Sequence, residues 1–342
     1  MQLMSRKRPV LAALTCMVAI GLAACGGSAP VATHKPTPRP STPAPTPVAP
    51  APKPAPTPPP LPTPLVIQIE NSSDARPQSG IFQADIVYEY ETEGGISRFS
   101  AIWFQPPTVP VGPVRSARLV TVKITQAYDG TLLFSGASAF VLQALQNTGT
   151  RSYAEGPAAG GLYRVNSRAA PHNLYTDGAH AQAFLQMVGS HPVSYQLWGR
   201  TAITSLPPGG QAVPKFSVPV SDSETPEYVY DPAGGGYQRI EPSTGLLVDA
   251  DTGAWEPHTI VVLQMPVTVA PEVEDVSGAH GLDFGLQGSG GGQLAVGGRL
   301  YSIHWTQGPG GPPQLTLANG QPAPVALGQV LIELVGTGKT VG

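Results

Sequence analysis

Between Ala29 and Pro64 almost every second residue is proline, with threonine, alanine and valine between the prolines. A stretch of this composition cannot bury a core, and it favours an extended, disordered polyproline II stalk. At about 3.1 Å per residue it would reach roughly 110 Å. Every folded element is therefore expected after this stretch. A docking segment for a proline-binding module is the alternative, and we favour a plain stalk.

The N-terminus carries an export signal. Three basic residues, Arg6 to Arg8, precede an apolar run that ends at Ala24 and is too short for a stable membrane span. The run closes with Leu-Ala-Ala-Cys-Gly, which resembles a bacterial lipobox and implies acylation of Cys25. We expect residues 1–24 to be a lipoprotein signal peptide and residues 25–64 to be the lipidated cysteine and its linker. The protein would then be exported and anchored to the membrane, on the outer face of the cell membrane or in the periplasm.

Composition excludes several classes of protein. The other cysteine, Cys16, lies in the signal peptide, so the mature chain has no disulfide and no cysteine-based metal site. The formal charge is −3 and no basic cluster follows the signal, so nucleic acid is not an expected partner. No HExxH, P-loop, Gly-x-Ser-x-Gly or dinucleotide motif occurs, and we predict no metal and no cofactor. The sequence does not fix an oligomeric state.

The remaining chain divides into two regions. Residues 65–206 mix apolar strand and helix patterns and predict an α+β domain with a mixed sheet. Residues 213–342 show short strands separated by Gly, Pro and Asn turns and predict an all-β domain. A Pro-Pro-Gly-Gly run at 207–210 is the expected hinge. The glycine-rich run from Gly288 to Gly292 is interpreted as a flexible loop.

A β-hairpin is predicted around Gly94-Gly95, because strand-forming residues flank this pair of turn residues. If the two glycines form the turn, Glu91 lies opposite Arg98 and Glu89 lies opposite Ser100. One face would be core. The other would carry a polar row consisting of Asp85, Glu89, Glu91, Arg98 and Ser100. Such a row is either a solvated face or part of a polar cleft.

An arginine-bearing turn follows the hairpin. The run Gly-Pro-Val-Arg-Ser-Ala-Arg from Gly112 leads into a helix predicted over 119–127, with Ser116 as the expected N-cap and Pro113 as an alternative entry. A helix N-terminus attracts anions, and Arg115 and Arg118 beside it would complete an anion site. Alternatively, both arginines pair with hairpin carboxylates and hold the hairpin to the helix.

A second polar concentration contains Arg168, His172, Asn173 and Tyr175 in a predicted loop. Histidine titrates near neutral pH, so His172 is a candidate base or ligand. A histidine in a loop also commonly caps a neighbouring backbone group.

Several runs together resemble the YerB-like bacterial lipoproteins. They are Ile-Glu-Asn-Ser-Ser-Asp-Ala-Arg-Pro-Gln-Ser-Gly from Ile69, Ala-Asp-Ile-Val-Tyr-Glu from Ala84, the arginine turn from Gly112, and Pro-His-Asn-Leu-Tyr-Thr from Pro171. The resemblance implies a two-domain surface lipoprotein and implies no known activity. It would put any site at Arg76, Asp85, Glu89, Glu93, Arg98, Arg115, Arg118, His172 and Asn173.

Three functions are compatible with these features. The first is a module that binds an anionic or glycan envelope component, or a protein partner, through a cleft. Its predicted ligand-binding residues are Arg76, Glu93, Arg98, Arg115, Ser116, Arg118 and Asn173. The second is a hydrolase or transferase acting on envelope glycan or peptide, with Asp85 or Glu89 as acid or base and His172 assisting. The third makes the polar set a buried ion-pair network without a ligand.

Overall fold

The computed structural model describes residues 61–156, 160–253, 255–275 and 277–342, which belong to one compact unit. The predicted signal peptide, Cys25 and the proline-rich stretch up to residue 60 lie outside the described residues.

The first region mixes strands and helices. In chain order it contains β1 (Leu65–Glu70), β2 (Ile86–Glu91), β3 (Ser97–Trp103), α1 (Leu119–Ala127), β4 (Thr131–Phe134), α2 (Ala139–Asn147), β5 (Ser152–Ala154), β6 (Tyr163–Arg164), β7 (Leu174–Tyr175), α3 (Gly178–Val188) and β8 (Arg200–Thr201). Short 3-10 turns lie at Ser73–Ala75, Ile81–Gln83, Glu93–Gly95 and Ile203–Ser205.

The second region is built from strands. These are β9 (Gln211–Ala212), β10 (Lys215–Ser217), β11 (Glu227–Tyr230), β12 (Tyr237–Glu241), β13 (Gly245–Leu246), β14 (Thr259–Met265), β15 (Val267–Val273), β16 (His280–Phe284), β17 (Gly288–Val296), β18 (Arg299–Gln307), β19 (Gln314–Leu317), β20 (Val325–Ala326) and β21 (Val330–Gly336). The predicted fold class, a mixed α/β region followed by a β region, is confirmed.

One large sheet runs through both regions, in the order β19-β18-β17-β14-β21-β2-β3-β1-β4-β5. Its centre is the parallel pairing of β2 with β21, in which Ile86 lies opposite Val330 and Tyr90 lies opposite Leu334. β21 is also parallel to β14. β2 of the first region therefore pairs with β21, the last strand of the second region. The boundaries predicted at 65–206 and 213–342 stay predictions.

Both faces of this sheet are covered, so its central strands are buried on both sides. One core includes β2 side chains such as Tyr88 together with Val120 and Ile124 of α1. The other includes Phe99 with Phe184 of α3 and Tyr228 of the separate β10-β11-β12-β13 sheet.

The predicted register of the β2–β3 hairpin is wrong by one residue. The connection is a longer loop, residues 92–96, and Glu91 lies opposite Ser97 while Tyr90 lies opposite Arg98. A one-residue shift moves every side chain of one strand to the other face. Glu89 therefore lies on the face of Phe99, and Arg98 lies on the face of Tyr90. The predicted polar row does not form.

The glycine run interpreted as a flexible loop is instead the first half of β17, between β14 and β18. A Cβ on Gly292 would lie 2.3 Å from the carbonyl oxygen of Val262. A Cβ on Gly290 would lie 2.7 Å from Gln264 O and from Trp305 Nε1. Glycine is required here because neighbouring backbone and side chains approach closely, and not because the chain turns.

We predict that Gly292→Ala lowers the free energy of unfolding by about 1–3 kcal/mol, because the added methyl group forces β14 to shift. Gly291→Ala is the matched control, since its Cβ would meet only Gln264 Oε1 at 3.7 Å. Urea unfolding of both variants checks this. Equal stability of the two would contradict the steric explanation.

Candidate arginine cleft

The described residues enclose a cleft of about 560 Å³ where the β2–β3 loop, the segment before α1 and the β15–β16 hairpin meet. We call it the arginine cleft. Its lining residues are Glu70, Ser72, Thr92, Glu93, Ile96, Ser97, Arg98, Arg115, Ser116, Arg118, Ala137, Ser138, Val273, Glu274 and Asp275.

Backbone pairing positions the arginine segment. The Arg115 N–H donates to Gln68 O at 2.9 Å, and the Arg115 carbonyl accepts from Ser135 N–H at 3.0 Å. The segment is thus fixed between β1 and the end of β4. The predicted N-cap at Ser116 is wrong, because Arg118 occupies that position and its backbone N–H donates to Thr121 Oγ1 at 2.9 Å. A threonine three residues into the helix replaces the expected serine cap.

Arg118 is almost fully engaged by protein groups. Its Nε donates to Glu93 Oε2 at 2.6 Å, its Nη2 donates to Glu93 Oε1, and its Nη1 donates to Ala117 O at 3.0 Å. Burial lowers the pKa of the Arg118 guanidinium, and the charge of Glu274 opposes that shift. This arginine holds the loop after β2 against the start of α1.

Arg98 is partly engaged. Its Nη1 donates to Ser116 O at 2.9 Å, and its Nη2 lies 3.6 Å from Glu93 Oε1. Burial, followed by the nearby charge of Arg115, lowers the pKa of Arg98 to about 10. It remains a cation at neutral pH.

Arg115 is the most exposed of the three arginines. Its Nε lies 3.1 Å from Glu70 Oε1, and within the described ranges its Nη1 and Nη2 have no hydrogen-bond partner. Its side chain is 24% exposed. A guanidinium presents its donors in a planar fork that matches a carboxylate or a phosphate.

His172 reaches the cleft only through Glu70. Its Nδ1 lies 2.9 Å from Glu70 Oε2, and Ser72 Oγ donates to Glu70 Oε1 at 2.9 Å. Sequence reasoning missed Glu70, which lies at the end of β1 opposite Arg98, because only the pairing of β1 with β3 brings the two residues together.

Sequence reasoning also missed Glu274, which lies just after β15. Its Oε2 is 3.1 Å from Arg118 Nε, and its side chain is 1% exposed. Burial raises the pKa of Glu274, and Arg118 limits the rise.

Glu89 lies away from the cleft in a fully buried network with Arg239 of β12. Arg239 Nη2 donates to Glu89 Oε1 at 2.7 Å, and Arg239 Nε donates to Glu241 Oε1 at 2.5 Å. Glu333 lies opposite Glu89 on β21, with Oε1 at 3.3 Å from Arg239 Nη1. The side chains of Glu89, Arg239 and Glu333 are 0% exposed, so Glu89 cannot reach a ligand in this arrangement.

The two paired glutamates titrate differently. Burial opposes ionisation of Glu89, but the ion pair with Arg239 outweighs it and lowers its pKa. Burial and then the charge of Glu89 raise the pKa of Glu333 well above its usual value. Arg239 therefore favours the ionised form of Glu89, whereas burial and the charge of Glu89 favour the protonated form of Glu333.

Three other predicted site residues lie elsewhere. Asp85 accepts a hydrogen bond from Phe104 N–H at 2.8 Å, at the other end of β2, and burial raises its pKa. Arg76 donates to Glu224 Oε1 at 2.7 Å in a separate groove. Asn173 Oδ1 accepts from Arg164 Nη1 at 2.5 Å near the surface. The predicted residues that the structure brings together are Glu93, Arg98, Arg115, Ser116 and Arg118.

Among the residues that the structure describes, no cluster of three histidine, cysteine, aspartate or glutamate side chains is arranged to hold a metal. No helix within the same residues is both long enough and apolar enough to span a bilayer.

The fold and the cleft can now be compared with known proteins. Residues 56–191 match the N-terminal domain, and residues 216–332 the C-terminal domain, of the family described as "protein of unknown function (DUF3048)". The chain belongs to this two-domain, YerB-like family.

Individual relatives agree with this assignment. The chain is 37% identical over 114 residues to the "putative lipoprotein YerB" of Bacillus subtilis, a match that covers 33% of this chain and 34% of that protein. The match thus spans about a third of the curated relative's length. The crystal structure of YerB from Bacillus subtilis superposes with a TM-score of 0.63 and 26% identity, over 80% of this chain and 90% of that one.

The opposite pKa shifts of Glu89 and Glu333 predict different effects of neutralising each residue. We expect Glu89→Gln to lower the free energy of unfolding by about 3–5 kcal/mol at pH 7, because it removes the ionised partner of Arg239. Glu333→Gln is the matched isosteric variant and should cost less, because burial and the charge of Glu89 already disfavour the ionised form of the carboxyl that it replaces.

The pH dependence follows from the raised pKa of Glu333. Between the unfolded and folded pKa values the folded state retains a proton that the unfolded state has lost, so wild-type stability from this group falls as pH rises. The stability of Glu333→Gln relative to wild type should therefore increase from pH 5 to pH 8 in urea unfolding. A constant difference would contradict the assignment.

Proposed function

We propose that this protein is an exported, lipid-anchored envelope protein whose arginine cleft binds an anionic group of an envelope component. The observation that carries the proposal is the free donor fork of Arg115 in a cleft whose other two arginines are held by protein groups. A cleft of about 560 Å³ has the size of a small-molecule site.

The cleft favours binding over chemistry. The two carboxylates considered as acid or base, Asp85 and Glu89, lie outside it. Glu70 and Glu93, which line it, contact Arg115 and Arg118 and position them. The acid and base assigned to a hydrolase or transferase therefore do not lie in the cleft, and we do not propose that activity.

The proposed location rests on the lipobox resemblance around Cys25 and on the name of the relative, a putative lipoprotein. Acyl chains on one residue hold a protein to a bilayer through their buried methylene groups. The folded body would then act at the membrane surface, within reach of wall material.

Anchoring predicts a change of fraction. Cys25→Ser should move most of the protein from the membrane fraction to the soluble fraction and abolish incorporation of radiolabelled palmitate. Cys16→Ser, in the predicted signal peptide, is the control and should leave both unchanged. A Cys25→Ser protein that stays in the membrane fraction would disprove lipid anchoring through this residue.

Ligand binding predicts a defect that is specific to Arg115. The full-length protein in detergent should be retained on purified wall fragments, and Arg115→Ala should reduce retention at least ten-fold, because the free fork is lost. Arg299→Ala removes an exposed arginine outside the cleft and serves as the control. Equal retention of both variants would remove the cleft from the proposal.

A further inference from the structure

The arginine cleft contains three arginines but four carboxylates, those of Glu70, Glu93, Glu274 and Asp275. A polyanion would therefore meet repulsion as well as attraction, while a ligand with one charge of each sign would not. The charge balance of the lining argues for a ligand whose own charge is balanced.

The site for the negative group is Arg115. Glu93 and two carbonyl oxygens engage Arg98 and Arg118, whereas the Nη1 and Nη2 donors of Arg115 are available. A single carboxylate can accept both donors in a bidentate pair. Arg98 is the less suitable partner, because its Nη1 is engaged, Glu93 Oε1 lies 3.6 Å from its Nη2, and its side chain is less exposed than that of Arg115.

The site for the positive group is Glu274. It forms an ion pair with Arg118 Nε at 3.1 Å, and the N–H of Leu119 at the start of α1 also interacts with it. Two donors leave acceptor sites of a buried carboxylate unused, so it would gain from a new donor. An ammonium group supplies three donors and a positive charge.

The hairpin fixes the Glu274 carboxylate where it lines the cleft. The Glu274 N–H donates to Ala279 O at 2.9 Å. Gly281 packs against the carboxyl group, and a Cβ at this position would lie 2.4 Å from Glu274 Cδ. Because Gly281 has no side chain, the Glu274 carboxyl group fits against it. The close contact prevents this group from moving further into the hairpin.

The rim of the cleft is apolar. Ile96 and Val273 both line it, and each is 47% exposed. Such side chains would contact a small apolar group that lies between the two charged ends of a ligand.

We propose that the ligand of the arginine cleft is zwitterionic, an amino acid or a short peptide whose carboxylate binds Arg115 and whose ammonium group binds Glu274. This inference rests on the proposed function and specifies its ligand class. It also gives Glu274 a role in binding in addition to its contact with Arg118.

Isothermal titration calorimetry of the full-length protein in detergent tests the inference. The probes are alanyl-alanine, its N-acetyl derivative, its C-terminal amide, and inorganic phosphate. The free dipeptide should bind at least ten-fold more tightly than either blocked form and than phosphate. This comparison uses the wild-type protein only, so it does not depend on the folding of a variant.

Two variants assign the ends. Glu274→Gln should remove the preference for the free amine over the N-acetyl form, and Arg115→Ala should remove the preference for the free carboxylate over the amide. A Glu274→Gln protein that still prefers the free amine would overturn the assignment of Glu274.

The outcomes separate the two proposals. Phosphate or N-acetyl dipeptide binding as tightly as the free dipeptide would overturn the zwitterion while leaving an anion-binding cleft. No binding of any dipeptide, combined with Arg115-dependent retention on wall fragments, would also overturn this inference alone. Loss of that retention as well would overturn the proposed function.

Discussion

The parallel pairing of β2 with β21 is the interaction on which the rest of the structure depends. It joins the two regions of the chain in one sheet and places Glu89 directly opposite Glu333. Both carboxyl groups lie in the core, so the pairing requires a cation there, and Arg239 from the smaller sheet supplies it. The pairing of β2 with β21 and the buried ion pairs of Arg239 thus hold both regions of the large sheet and the smaller sheet together.

The arginine cleft depends on this joining of the two regions. Its floor comes from the first region, through the loop after β2 and the segment before α1, and one wall comes from the β15–β16 hairpin of the second. Arg118 contacts both Glu93 and Glu274, and therefore links the two sources directly. The cleft is complete only when both regions have assembled, although the family divides them into two domains.

Local patterns in the sequence predicted local structure well. The helix predicted over 119–127 matches both bounds of α1, although its N-cap is Arg118 and not Ser116. The hairpin register was wrong because loop length decides it, and a glycine pair does not define the loop.

Contacts between distant residues were beyond sequence reasoning. Arg98 and Arg115 lie close together in the chain, so the sequence predicted that both belong to one binding site. Nothing local links Glu89 with Arg239, or Arg118 with Glu274, because the sheet order creates those pairs. β15 has a weak local strand pattern, since it contains Pro271 and pairs with β16 through a shifted register.

The central position of β21 has a consequence for biogenesis. Until this late segment is available, β2 has an open edge. Glu89 of β2 then has neither Glu333 opposite it nor a closed core around it. Contacts between such distant parts of a chain form slowly. The strand order thus delays completion of the large sheet until the last strand of the second region is available.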